Sequence, residues 1–387
     1  MERAPVSLVL VGNAGAPTSW AETVGQALDT QLQAEHDAGR APIVLWLGGL
    51  SMPTHPNRKR PDCPSDSLGA RPKAAEIASA VQRHTARGHA SYAVAGVSDW
   101  HCGTADTLVQ AKPSANAPWV MPAHHYVVRV LENGTATVVS HCDDAADPTC
   151  TIDAVDRIAD SAAPLVDLVM VDLSPWVAPP NTQPGRSRKD AEVLNLDALM
   201  AAVASPSDLA PPRLLVSAVP VEGAGFEGMG GGGASAAFHY LPPSVANAVR
   251  DGVFAGTVSA HDRAVYATAD ITHAVKRSSR AWLSRPMFQV VSGSASLPDA
   301  RVAAGGRRMR YFRSNTHQAD VYSDRPGYAV VYLTPDRMAA VLHTSRRGNW
   351  ERVAVEAPMT PSPHPAETAA PPLTPCQHCP MIPSEER

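Results

Sequence analysis

Leu8 to Val11, led in by Ser7, is an unbroken apolar run and predicts a strand buried on both faces. From Thr18 onward the pattern changes: Trp20, Val24, Leu28 and Leu32 recur every fourth residue, which places them on one face of a helix. Ile43 to Leu47 predicts a second buried strand, Ile77 and Val81 mark another amphipathic helix, and Tyr92 to Ala95 a third strand. This alternation predicts parallel strands with covering helices.

Past residue 120 the order breaks. Tyr126 to Leu131 and Thr135 to Ser140 flank Asn133-Gly134, a strong hairpin signal, so antiparallel strands join the sheet. Asp167 to Leu173 and Arg213 to Ala218 read as strands, Leu196 to Val203 and Ser244 to Arg250 as helices. After residue 286, Phe288 to Val291, Tyr328 to Leu333, Ala339 to His343 and Arg352 to Val355 read as strands alone. The expected architecture over residues 1–356 is an α/β fold, a four-layer α/β/β/α sandwich with two mixed sheets. From Ala357 to Arg387, Pro, Ala, Thr and Ser dominate, a composition expected of a disordered tail. No internal repeat is visible.

Bulk properties narrow the picture. The chain has 387 residues, 44% hydrophobic and 18% charged, with 36 prolines, which fits a globular protein rich in rigid loops. A net charge of −4 argues against general nucleic-acid binding, though not against a local basic patch. The sequence contains no apolar run long enough for a transmembrane helix, and Met1 to Pro5 lead into the first strand without a signal-peptide core. The expected setting is cytoplasmic if the chain starts at Met1, and the cell envelope or outside if a leader has been removed. Six cysteines (Cys63, Cys102, Cys142, Cys150, Cys376 and Cys379) are too dilute in this length to define a disulfide framework.

Five strand-end stretches follow one another: "VGNAGAP" from Val11, "LGGLSMP" from Leu47, "GVSDW" from Gly96, "VSAVPVEGAG" from Val216 and "VSAHDRAVYA" from Val258. In this order they resemble the motifs GDxG, GDxxY, GNHD, VxxH and GHxH of the calcineurin-like metallophosphoesterases, particularly the purple acid phosphatase-like branch. "APWVMPAHHYVVRV" (Ala117 to Val130), "LVMVDLS" ending near Asp172, and "QVVSGSAS" extend the resemblance over roughly residues 6 to 356. It implies the metallophosphoesterase sandwich, and a site at which two divalent cations generate a hydroxide nucleophile for phosphoester hydrolysis.

Position by position, the resemblance places altered residues at that site. The first-motif aspartate is Asn13, the bridging aspartate Gly49 and the tyrosine ligand Met52. The asparagine ligand is Val97, the histidine that protonates the leaving group is Ser98, and Asp99 is retained. The fourth-motif histidine is Val219; in the last motif His261 is retained and the second histidine is Arg263. A guanidinium does not give up its proton, and at ~4 Å from a divalent ion and an effective dielectric of ~20 it repels by roughly 8 kcal/mol. The expectation is therefore a degenerate, non-catalytic member, a pseudo-phosphoesterase that binds a protein or a small anionic ligand and carries no cofactor. The alternative is an active hydrolase with a metal site (Mn, Fe or Zn) rebuilt around Asp99, His101 and His261.

Three further stretches have plain readings beside sharper ones. Gly223 to Ser235 reads as a flexible loop at the site mouth rather than a phosphate cradle, since it lacks the G-x-x-x-x-G-K pattern. Gly305 to Arg313 mixes arginine with aromatics and reads as a solvated basic loop before an anion patch. Cys376-Gln377-His378-Cys379 has a single CxxC, which favours a tail disulfide or free thiols over zinc.

Overall fold

The computed structural model describes residues 5–15, 18–51, 63, 72–114, 117–143, 147–153, 162–177, 186–205, 210–221, 241–260, 265–268, 287–293, 295, 321–323, 325–346 and 349–359. Strand β1 (Val6–Val11) organises the first sheet. It pairs in parallel with β2 (Ile43–Leu47), and β2 with β3 (Ser91–Val94). The crossovers carry α1 (Ser19–Asp37) and α2 (Pro72–Thr85), which pack on each other. Thr18 caps α1, its hydroxyl accepting from the Ala21 N–H, and Val24, Leu28 and Leu32 are buried as their spacing requires. On the other side of β1 the late strands β14 (Gly327–Leu333), β15 (Arg337–Arg346) and β16 (Asn349–Pro358) add as an antiparallel meander. The order among the described residues is β16-β15-β14-β1-β2-β3.

A second, eight-stranded sheet takes the middle of the chain. Its edge hairpin is β4 (His125–Leu131) and β5 (Ala136–Val138), turning at Gly134 in the left-handed region. β4 lies antiparallel to β8 (Pro164–Val171), and β9 (Arg213–Ser217), β10 (Gly256–Ser259) and β12 (Phe288–Ser292) follow in parallel. β11 (Val265–Thr268) and β13 (Val321–Ser323) close the far edge. The segment Thr135 to Ser140, read as one strand, divides at Val139. β5 stays in the large sheet, whereas β6 (Ser140–Cys142) leaves to pair with β7 (Cys150–Ile152) in a ribbon closed by the Cys142–Cys150 disulfide.

Alternation along the strands defines the layers. Val166, Leu168 and Met170 of β8, with Leu214 and Val216 of β9, join the core between the sheets. Val169, Val171 and Leu215 point the other way and pack against α5 (Arg186–Ala204) and α6 (Pro243–Arg250). The first sheet has α1 on its outer face, where the Tyr328 hydroxyl donates to the Ala27 carbonyl. This is the four-layer sandwich with two mixed sheets that the pattern predicts. Strand β16 runs two residues past 356, the expected start of the tail, whose residues 360–387 lie outside the described residues. Ala357 and Pro358 still pair with Met338 and Arg337, and Met359 is buried with its N–H on the Asp336 carbonyl. Proline is tolerated there because β16 is an edge strand.

Candidate functional site

The carboxyl ends of the parallel strands of both sheets meet backbone to backbone. Between the sheets the Ser292 hydroxyl donates to the Leu10 carbonyl and the Ala295 N–H to the Gly12 carbonyl, and within the second sheet the Ala260 N–H donates to the Ala218 carbonyl. A side chain on Gly12 would collide with the Ser292 carbonyl and the Ala260 β-carbon. Four of the five sequence motifs thus reach one seam, and a cleft there is lined by Asn13, Leu47, Gly48, Gly49, Gly96, Val97, Ser98 and Ala218. Met52, His261 and Arg263 fall outside the described residues, as do residues 223–235, 305–313 and 376–379.

Asn13 has φ 54°, the left-handed region that asparagine tolerates better than most residues. Its N–H donates to the Gly48 carbonyl at 3.0 Å, and its side-chain Nδ2 donates to the Gly293 carbonyl at 2.5 Å. The amide therefore serves as a donor, a role an ionised carboxylate cannot fill. Gly49, at φ +67°, lies against it: a β-carbon there would fall 2.8 Å from Asn13 Cα and closer still to its Oδ1. The space that a side chain at position 49 would need is thus occupied by Asn13.

Asp99 is fully buried on the short helix α3 (Val97–His101) and accepts three backbone hydrogen bonds. Oδ2 takes the N–H groups of Gly49 (2.9 Å) and Gly96 (2.7 Å), and Oδ1 that of Ser51 (2.6 Å). Complete burial pushes its carboxyl up to about 7, with the Asp172 charge adding to the rise and the three N–H groups opposing it. Asp99 is a clasp holding the second-motif loop on the third. His101, two residues on, leaves the helix on a different side, so the two are not brought together. At the end of α3, Cys102 is bonded to Cys63. Two of the three disulfide pairs that six cysteines permit are therefore formed among described residues. Val219 is buried with the apolar layer under α5 and α6, and Val97 packs at its edge.

Beside the cleft stands a network that motif reading missed. Asp172, fully buried at the end of β8, accepts from Trp100 Nε1 (2.7 Å) and the Ser174 N–H (2.9 Å) at the start of α4 (Ser174–Val177). His124 Nδ1 lies 3.2 Å from the same carboxylate, and Nε2 lies 3.0 Å from Asp106 Oδ1. Burial lowers the His124 pKa, but hydrogen bonding and charge from Asp172, then Glu192 and Asp106, outweigh it and hold it up at about 9. A signal existed: His124 lies just before one buried strand, and Asp172 just after another.

A scan against models of known protein families and a search of curated proteins found no match. Solved structures do match. GAP50, "the anchor in the inner membrane complex of Plasmodium", is 14% identical, with 89% of this chain and 86% of that one covered and a TM-score of 0.51. A purple acid phosphatase from yellow lupin (Lupinus luteus) seeds is 9% identical, with 92% of this chain and 54% of that one covered and a TM-score of 0.50. The chain has a metallophosphoesterase-type fold.

Among the described residues, the donor set does not fit the cation pair that the sequence resemblance implies. Among the described positions, Asn13 spends its amide nitrogen on Gly293, Gly49 and the two valines offer no side-chain donor, and both oxygens of Asp99 are engaged. Hard divalent ions need several carboxylates or imidazoles converging on open space.

Proposed function

We propose that this chain is a non-catalytic member of the metallophosphoesterase fold, a pseudo-phosphoesterase that acts as a binding or scaffold module. The observation that carries the reading is the packing of Asn13 against Gly49, which fills the bridging-ligand position with a neutral amide. The structural likeness to GAP50, an anchor by its description, supports a partner that is a protein. A hydrolase rebuilt around Asp99, His101 and His261 would need a metal to reach a fully buried carboxylate whose two oxygens already accept three backbone hydrogen bonds. The two disulfides support an oxidising compartment over the cytoplasm.

The test is elemental analysis of protein purified without chelator, paired with phosphomonoester and phosphodiester assays. We expect far less than one equivalent of Mn, Fe or Zn and no hydrolysis above background. Stoichiometric metal that is lost in His261→Ala, with activity that follows it, would overturn the reading.

A further inference from the structure

We propose that β16 is a self-association edge: two copies of this chain join their six-stranded sheets by antiparallel pairing of β16 with its counterpart, centred on Ala354. The strand pairs with β15 over ten consecutive residues, Asn349 to Pro358, and among the described residues nothing pairs with its other edge. Sheet edges of that length are normally guarded by a bulge, an internal proline or charged side chains, lysine above all, and the charges on this one, Glu351, Arg352 and Glu356, are of both signs. Here the β15–β16 register is unbroken, the one proline is the last residue, and the strand holds no lysine.

The sequence of the edge is self-complementary. A two-fold axis perpendicular to the sheet keeps each face on its own side, so only residues of the same parity can stand opposite each other. With Ala354 opposite itself, Arg352 faces Glu356 of the second copy and Glu356 faces its Arg352, while Val353 meets Val355 and Trp350 meets Pro358. Directly opposed residues in an antiparallel pair have β-carbons ~4.5–5.5 Å apart, within reach of a cross-strand ion pair. Shifting the register by two residues loses both charge pairs. Shifting it by four sets Arg352 against Arg352 or Glu356 against Glu356. Both side chains are exposed, and neither makes an ion pair among the described residues, so both are available. Glu351, on the opposite face, is already held by Arg325 at 2.7 Å and brings no like-charge conflict. The residues after Met359 are a poor alternative occupant, because prolines at 361, 363 and 365 remove every second backbone donor.

Analytical ultracentrifugation of the full chain over a concentration series tests this, with circular dichroism confirming the fold of each variant. We expect a monomer–dimer equilibrium, weakened at least tenfold by Arg352→Glu or Glu356→Arg, and restored towards the original by the two together. In a Cys376→Ser, Cys379→Ser background, Ala354→Cys should cross-link into a covalent dimer under mild oxidation. Val353→Cys should not, because its own counterpart lies one diagonal away at ~7–8 Å. A chain that stays monomeric at tens of micromolar overturns the proposal. So does a dimer indifferent to Arg352→Glu, or one in which Ala354→Cys fails to cross-link. None of these results bears on whether the cleft holds metal.

Discussion

Gly49 and Asn13 are packed so closely that a β-carbon on the first would fall 2.8 Å from the Cα of the second. Both residues are in the left-handed region, at φ +67° and 54°, and the Asn13 N–H is bonded to the Gly48 carbonyl between them. Two turns from neighbouring strands have thus closed on each other, and no space for a side chain is left between them.

Any side chain at position 49 should therefore damage the protein. Gly49→Asp is expected to cost about 3 kcal/mol or more in urea unfolding, from collision with Asn13 together with the positive φ. Gly49→Ala should cost most of the same amount, since the β-carbon itself collides. A Gly49→Asp variant as stable as the parent would show that the loop opens freely.

Asn13→Asp exchanges a donor for a carboxylate facing the Gly293 carbonyl. The expected loss is roughly 1–3 kcal/mol at pH 8. It should shrink near pH 5, where the new carboxyl can be protonated and donate. Equilibrium denaturation at the two pH values reads the difference, and equal losses at both would contradict the donor role.

The layers and most of the elements were legible in the residues because burial imposes a period. Leu8 to Val11, Leu168 to Val171 and Val24-Leu28-Leu32 each carry the spacing their surroundings require. The seam was legible as a set of strand-end turns, and Asn13 and Gly49 line the cleft there. What Asp99 does there was not legible, because its three partners are backbone N–H groups at Gly49, Ser51 and Gly96, and a backbone group leaves no mark in the sequence. The Asp172–His124–Asp106 chain is hidden for a related reason: its bonded neighbours are 48 and 18 positions apart, and no local pattern unites them. Val139, where one predicted strand became two, is as apolar as its neighbours.

Asp99→Asn should be destabilising although it is nearly isosteric. One oxygen remains to accept, and the new amide nitrogen meets a backbone N–H, so roughly 2–4 kcal/mol is expected from lost and opposed hydrogen bonds. Amide hydrogen exchange at Gly49, Ser51 and Gly96 should rise together in this variant. Unchanged protection at all three would rule out the clasp.

Two buried histidines give opposite pH dependences. His124 is raised to about 9, so its contribution is complete below the unfolded value of ~6.5 and is lost as pH climbs through 9. His343 is stacked on Tyr328 at 4.6 Å and lowered to about 4, by burial first and then by the Arg352 charge. Its neutral form is favoured, so stability is lost as pH falls from ~6.5 to 4. His343→Phe keeps the stacking and should gain on the parent by up to roughly 3 kcal/mol between pH 7 and pH 4. His124→Gln should be most harmful at pH 6 and less so at pH 9.5. Comparing each variant with the parent at every pH separates these effects from that of Asp99, whose raised value lowers stability as pH rises from ~4 to 7.

Whether the fold stands complete without metal is read from the thermal midpoint of the unaltered chain. An enzyme that binds its ions gains RT ln(1 + [L]/Kd), roughly 4 kcal/mol at a thousandfold excess over Kd. Here the midpoint in excess EDTA and in millimolar Mn or Zn should agree within about a degree, and Asn13→Asp should not create a difference. A midpoint that climbs by several degrees with added metal in the unaltered chain would contradict the account.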